Sequence, residues 1–223
     1  YSLLDGAIRI KDLLKTVQAK GMKSVAVTDH GNLFGAVDFY RKAKDAGVKP
    51  ILGMESYVAG PKGRLDRSER VGRHLILLAK NQEGWANLRI LSSKAFTEGF
   101  YYDPRIDKQL LREHSKGLVG LTACLAGEIP RLIRHGEMDA AREAAREYKS
   151  IFEPGSFFLE VQSNGMKEQL EVNARMAQLS RDEGIPLVAT ADAHYIRRED
   201  AKAHEVLMCI ASNKTFQDPK RLR

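Results

Sequence analysis

The chain has 223 residues, 43% hydrophobic and 29% charged, an ordinary globular balance with material for one sizeable domain or two small ones. Its apolar runs fall far short of the roughly 18–20 residues of a membrane span. Two cysteines, Cys124 and Cys209, are too few for a disulfide framework and fit a reducing, cytoplasmic setting. A formal charge of +7 and a pI near 9.4 favour polyanionic partners such as nucleic acid or phosphate esters.

Short apolar runs alternate with longer amphipathic segments. The pattern predicts a helix over 7–19, a strand SVAVTDH over 24–30 ending in His30, a helix over 34–46, and a strand PILGMESYV over 50–58 that carries Glu55. AGPKGRLDRSERVGR (59–73) has no helical pattern. The next strand, HLILLAK (74–80, starting at His74), is therefore expected to pair with 50–58 as an antiparallel hairpin, which brings His74 toward the Glu55 end. Helices over 86–97 and 107–115 lead to GLVGLTACL (117–125), a strand with Cys124 near its end. Helices over 128–134 and 138–152 precede the strand SFFLEVQS (156–163). A helix over 167–183 precedes PLVATADAH (186–194), which closes on Asp192 and His194, and a last helix covers 199–211. Alternating helices and strands imply a mostly parallel sheet, open or closed into a barrel. The chain opens at Tyr1 without an initiator methionine, which reads as a fragment. FQDPKRLR reads as a linker, so the expected division is a domain over 1–212 and a linker over 213–223.

In parallel α/β folds, sites form where strand ends and their adjoining loops surround a common crevice. His30, Glu55, Cys124, Asp192 and His194 lie late in their strands, His74 joins through the hairpin, and Asp5 precedes the first helix. Imidazole and thiolate suit zinc, and carboxylates add charge and can bridge two ions. Clustered metals hydrolyse phosphate esters by acidifying water and clamping substrate oxygens. Each residue alone has a plainer reading as a packing or solvated group, and their joint occurrence is the signal. His114 and His204 within helical patterns, and His135 near a helix end, read as structural.

With TDHGN, GMESYV, HLILLAKN, TACL and TADAHY in that order, the chain resembles the PHP (polymerase and histidinol phosphatase) family. The wording YSLLDGA, TDHGNLFGAVDFYRKAKDAGVKPILGMESYVA and HEVLMCIASNKTFQDPKR is similar to the branch found at the amino end of bacterial replicative DNA polymerases. The resemblance implies a distorted (β/α)7 TIM-like barrel with up to three divalent metal ions, zinc foremost and manganese the alternative. Seven members of the family's ligand set map to Asp5, His30, Glu55, His74, Cys124, Asp192 and His194, with Glu55 as the bridging carboxylate. The set's opening His-x-His pair, on a first strand, would lie upstream of Tyr1. The resemblance further implies DNA replication, a metal-dependent phosphoesterase with 3′–5′ exonuclease activity, and partners in DNA, the polymerase domains of the same polypeptide, and the proofreading exonuclease and other replicase subunits. A catalytically silent docking domain and a stand-alone phosphatase are the alternatives. Lys62, Arg64, Arg67, Arg70 and Arg73, in the basic loop beside the expected site, are candidates for guiding a DNA end through phosphate contacts.

Overall fold

A computed structural model of the chain describes residues 2–70 and 72–221. The described chain forms two compact units. The larger comprises Val27–Leu33 and Ile51–Ala191; the smaller is drawn from the segment up to Ala26, Phe34–Pro50, and the segment from Asp192 on.

Seven strands form one sheet: β1 (Ser24–His30), β2 (Lys49–Val58), β3 (Arg73–Ala79), β4 (Arg105–Ile106), β5 (Leu118–Leu121), β6 (Phe157–Gln162) and β7 (Leu187–Thr190). Their order is β1-β2-β3-β5-β6-β7, with β4 pairing β2 off this path. The hairpin is present: β2 and β3 pair antiparallel, with Tyr57 opposite His74 and Glu55 opposite Ile76. β3 is also antiparallel to β5, while β5–β6, β6–β7 and β2–β4 are parallel. Three of these five pairings are parallel, as expected, and β3 is the antiparallel strand that the expected hairpin requires. A strand reached through a loop with no crossover helix runs against its predecessor, and so against β5 as well. β4 was not expected, since two residues show no alternation.

The larger unit also holds α3 (Gln82–Thr97), α4 (Lys108–Glu113), α5 (Glu128–Arg134), α6 (Met138–Ile151) and α7 (Lys167–Glu183). Helix α6 shows why these form. Ala141, Ala144, Ala145, Tyr148 and Ile151 recur at helical spacing and all are buried. Asn81 and Asp107 cap α3 and α4, their side chains accepting from the backbone of Gly84 and Leu110. Alternation in the strands sorts the two faces of the sheet. Leu75 and Leu77 of β3, with Met54 and Val58 of β2, enter a core shared with Leu88, Leu91, Leu110, Leu111 and Met176 of the helices. Each such buried side chain stabilises the fold by about 1.5–3 kcal/mol. The residues between them, Glu55, Tyr57 and His74, are committed by the same register to the other face.

The smaller unit contains α1 (Ile10–Ala19), α2 (Ala36–Asp45) and, after a 3₁₀ turn at Arg198–Asp200, α8 (Ala201–Ala211). Gln18 donates to the carbonyl of Ala46 (2.7 Å). The stretch after α8, expected as a linker, turns back on that helix. The Lys214 amide donates to Cys209 (2.8 Å) and Arg221 pairs with Glu205 (2.6 Å); residues 222–223 lie outside the described residues. Among the described residues no helix is long and apolar enough to cross a membrane.

Candidate metal centre

Two of the predicted strands stop earlier than expected, and the same local feature ends both. β5 ends at Leu121 rather than continuing to 125, and β7 ends at Thr190 rather than 194. Ala123 (φ 60°) and Asp192 (φ 46°) then take left-handed conformations that L residues adopt at a cost of about 1–3 kcal/mol. A ladder cannot propagate through such a residue, and the backbone turn re-aims the next side chains. Cys124 is thereby delivered from the strand end rather than from within the strand.

In the larger unit Glu55, His74 and Cys124 converge, with one donor atom from each lying within 4.8 Å of the others. Glu55 is almost fully buried. Its Oε1 meets Nδ1 of His74 in a close contact and lies 3.5 Å from Nδ1 of His30. The Cys124 sulfur is 3.6 Å from the same Nδ1 of His74. Tyr57, which no sequence motif singles out, packs against both imidazoles, whose own centroids are 5.9 Å apart. It stacks on His30 (centroids 6.3 Å apart) and meets His74 edge-on (5.2 Å).

Two glycines fix the backbone around this cluster. Gly31 follows His30 at φ 65° and donates to the Glu55 carbonyl (2.8 Å), tying the end of β1 to β2. A Cβ there would lie 2.6 Å from Pro104 and 3.1 Å from the Tyr57 ring. Gly127 donates to the Cys124 carbonyl (2.9 Å) and bridges His74; a Cβ there would lie 2.0 Å from the carbonyl oxygen of Thr122. Only glycine leaves room for the Cys124 turn to close against the start of β3.

The electrostatics have one cause. Burial pushes the Glu55 carboxyl upward, but hydrogen bonds and charge from His30 and His74 outweigh it and hold the group at about 2. Burial depresses His74, and its hydrogen bonds to Cys124 and Glu55 overcome this, raising it to about 10. Glu55 thus favours positive charge on the imidazoles beside it. The donor chemistry also fits a cation. With metal–nitrogen and metal–sulfur distances near ~2.0–2.3 Å, the edges of a tetrahedral shell are about 3.5 Å, against 3.6 Å between Cys124 sulfur and His74 nitrogen.

In the smaller unit Asp5 and Asp192 both reach His194. Its Nε2 lies 3.6 Å from an Asp5 oxygen, and its Nδ1 lies 2.9 Å from the Asp192 carbonyl and 3.8 Å from an Asp192 carboxylate oxygen. The Ala7 amide donates to the His194 carbonyl (2.8 Å) and so holds the Asp5 segment in place. The hydrogen bond to Asp5 raises His194 to about 9, against partial burial and with help from Asp192. Each of the seven predicted ligands therefore falls in a group with other predicted ligands. His204, read from sequence as structural, sits edge-on to His194 (5.7 Å) and beside Tyr195 (5.2 Å). Helical spacing carries no sign of this. His135 pairs with Glu137 (3.6 Å) and His114 lies 3.4 Å from Asn87.

A PHP domain model matches residues 1–164. The chain belongs to the PHP domain family. This PHP domain is 46% identical over its whole length to DNA polymerase III subunit alpha of Treponema pallidum and 49% identical to that of Thermus aquaticus. In both cases it spans 19% of the relative, so it corresponds to about a fifth of those polypeptides. A solved amidohydrolase from Chromobacterium violaceum is similar with a TM-score of 0.48 at 13% identity, covering 85% of this chain and 82% of that one.

The basic loop is largely engaged within the PHP domain. Arg64 pairs with Glu98 (2.7 Å) and Asp107 (3.0 Å), and Arg73 lies 4.0 Å from Glu69. Arg67 donates to the Phe100 carbonyl, Lys62 to Ser68 (3.3 Å), and Arg70 lies over the Tyr102 ring (4.0 Å). Lys62, Arg67 and Arg70 remain exposed.

Proposed function

We propose that this chain is the PHP domain of a bacterial replicative DNA polymerase alpha subunit and is itself a metal-dependent phosphoesterase that removes nucleotides from a DNA 3′ end. The convergence of Glu55, His74 and Cys124 carries the reading: a buried carboxylate, an imidazole and a thiol with donor atoms this close form a set that suits a divalent cation. Zinc suits this donor set, and manganese suits the carboxylate-rich group of Asp5 and Asp192 with His194. A bound divalent cation would supply Lewis-acid polarisation of a phosphoryl oxygen and acidify water.

The chain's own residues set up that chemistry. Glu55 fixes the His74 ring by accepting at Nδ1, and Tyr57 restricts its rotation. His74 must release its proton from Nδ1 for that atom to act as a ligand, so loading and proton release are coupled. Asp5 and Asp192 hold His194 from opposite edges of its ring. The exposed cations Lys62, Arg67 and Arg70 would meet phosphates. In the cell the domain would work in the cytoplasm, joined to the polymerase region and in contact with the proofreading subunit.

The test is release of nucleotides from a 3′-labelled oligodeoxynucleotide by the purified chain with zinc or manganese. Chelation and His74→Ala should each abolish it. Cation-dependent melting without turnover would instead make the domain a metal-stabilised scaffold. Undiminished turnover in His74→Ala would overturn the assignment.

A further inference from the structure

Two segments of the larger unit, residues 60–70 and 98–105, are locked together by one buried cation. Arg105, 1% exposed, donates to the carbonyls of Gly99 (3.2 Å), Glu69 (2.8 Å), Arg64 (3.1 Å) and Asp66 (2.6 Å). Arg64 reinforces the seam through Glu98 and Asp107, and Arg67 through the Phe100 carbonyl. The outer side of this rigid seam is aromatic. Phe100 and Tyr102 are 50% and 56% exposed, and Phe96 stacks on Phe100 (6.2 Å, 23°). Tyr102 stands edge-on to Tyr101 (4.8 Å), with the Arg70 guanidinium over its face at 4.0 Å and that of Arg67 5.4 Å from Tyr101.

Neither feature serves the core. Tyr102 adopts φ 63°, a conformation unfavourable to any residue with a side chain, and spends it on presenting a large ring to water. Large rings exposed on a segment held this firmly mark a binding surface. The interleaved guanidinium groups narrow the ligand. The loop over 59–73 carries five cations against two carboxylates, and one of those, Glu69, faces Arg73. Rings on which any base can stack, alternating with cations that meet phosphates, match single-stranded nucleic acid. A duplex keeps its base faces hidden.

We infer that the ledge of Phe96, Phe100 and Tyr102, flanked by Arg67 and Arg70, binds single-stranded DNA by base stacking and phosphate contact. The choice of DNA over RNA rests on the family reading; the single-strand platform does not.

Fluorescence anisotropy of a labelled mixed-sequence oligodeoxynucleotide, titrated with the purified chain in chelator, tests this without hydrolysis. Tyr102→Gly removes the ring and relieves the backbone, so the fold survives. It should weaken binding roughly tenfold with the salt slope unchanged. Phe100→Ala should do the same, and Arg70→Gln should reduce the salt slope by about one. Because the titration is run in chelator, loss of strand binding is read independently of any loss of hydrolysis. The inference is overturned if the parent fails to bind, if duplex of equal length competes equally, or if Tyr102→Gly and Phe100→Ala bind like the parent. A change in self-association with strand binding intact would mark a protein-facing surface and overturn it equally.

Discussion

Replacing Arg105 with methionine keeps the volume and apolar stem while deleting four charge-assisted hydrogen bonds to the carbonyls of residues 64, 66, 69 and 99. At about 1.5–3 kcal/mol for a bond to a charged group, the gross loss is on the order of 6–12 kcal/mol. Two effects reduce it. The acceptors belong to surface segments and can rehydrate as the seam loosens, and burial already disfavours the Arg105 charge, pushing its pKa down. The net cost should be about 3 kcal/mol, the scale of breaking a buried charged group's contacts. Because the bonds tie two segments rather than the core, the effect should be regional. Urea unfolding should show the destabilisation, and amide exchange across 60–70 and 98–104 should accelerate by roughly 100-fold, with α6 much less affected. Arg105→Lys should fall between, since an ammonium offers three donors. A loss under about 1 kcal/mol for Arg105→Met, with exchange unchanged in both segments, would mean that Arg105 does not hold the two segments together.

Asp107 gives a pH signature. Burial pushes its carboxyl up, but the amides of Arg64 and Leu110 and the Arg64 guanidinium hold it below the usual carboxylate range. A depressed folded pKa stabilises above the unfolded value, near about 4, and that contribution is lost as pH falls through the folded value. Asp107→Asn should therefore be less stable than the parent at pH 7 in urea titrations, with the gap closing below about pH 4. Gly127→Ala should destabilise by about 2–3 kcal/mol, because the clash is with the backbone oxygen of Thr122 and no side chain can yield. It should also weaken cation binding, measurable by calorimetry, by displacing the turn that carries Cys124.

What was legible in the sequence depended on whether the signal was periodic or local. Among the described residues, the eight α-helices and six of the seven strands show in the apolar spacing, and α5 and α7 match at both ends. The hairpin that brings His74 to Glu55 was expected from a helix-free loop. The strand stops at Leu121 and Thr190 were not legible, because Ala123 and Asp192 reach positive φ without the glycine that usually announces it. Tyr57 and His204 were missed for a different reason. Their contacts with His74 and His194 depend on the strand register and on the turn before α8, and an aromatic in a strand or a histidine in a helix reads as packing. The basic loop was legible as charge, but Arg64 is spent on Glu98 and Asp107, partners over thirty residues away.

Cobalt(II) titration reports whether Cys124 binds a cation, because thiolate coordination produces a charge-transfer band that imidazole and carboxylate ligands do not. The chain should develop that band saturably; Cys209→Ser should keep it, Cys124→Ser should lose it, and Glu55→Gln should weaken binding. A band that survives Cys124→Ser, or a parent chain that takes up no cobalt, would contradict the assignment of Glu55, His74 and Cys124 as one metal centre.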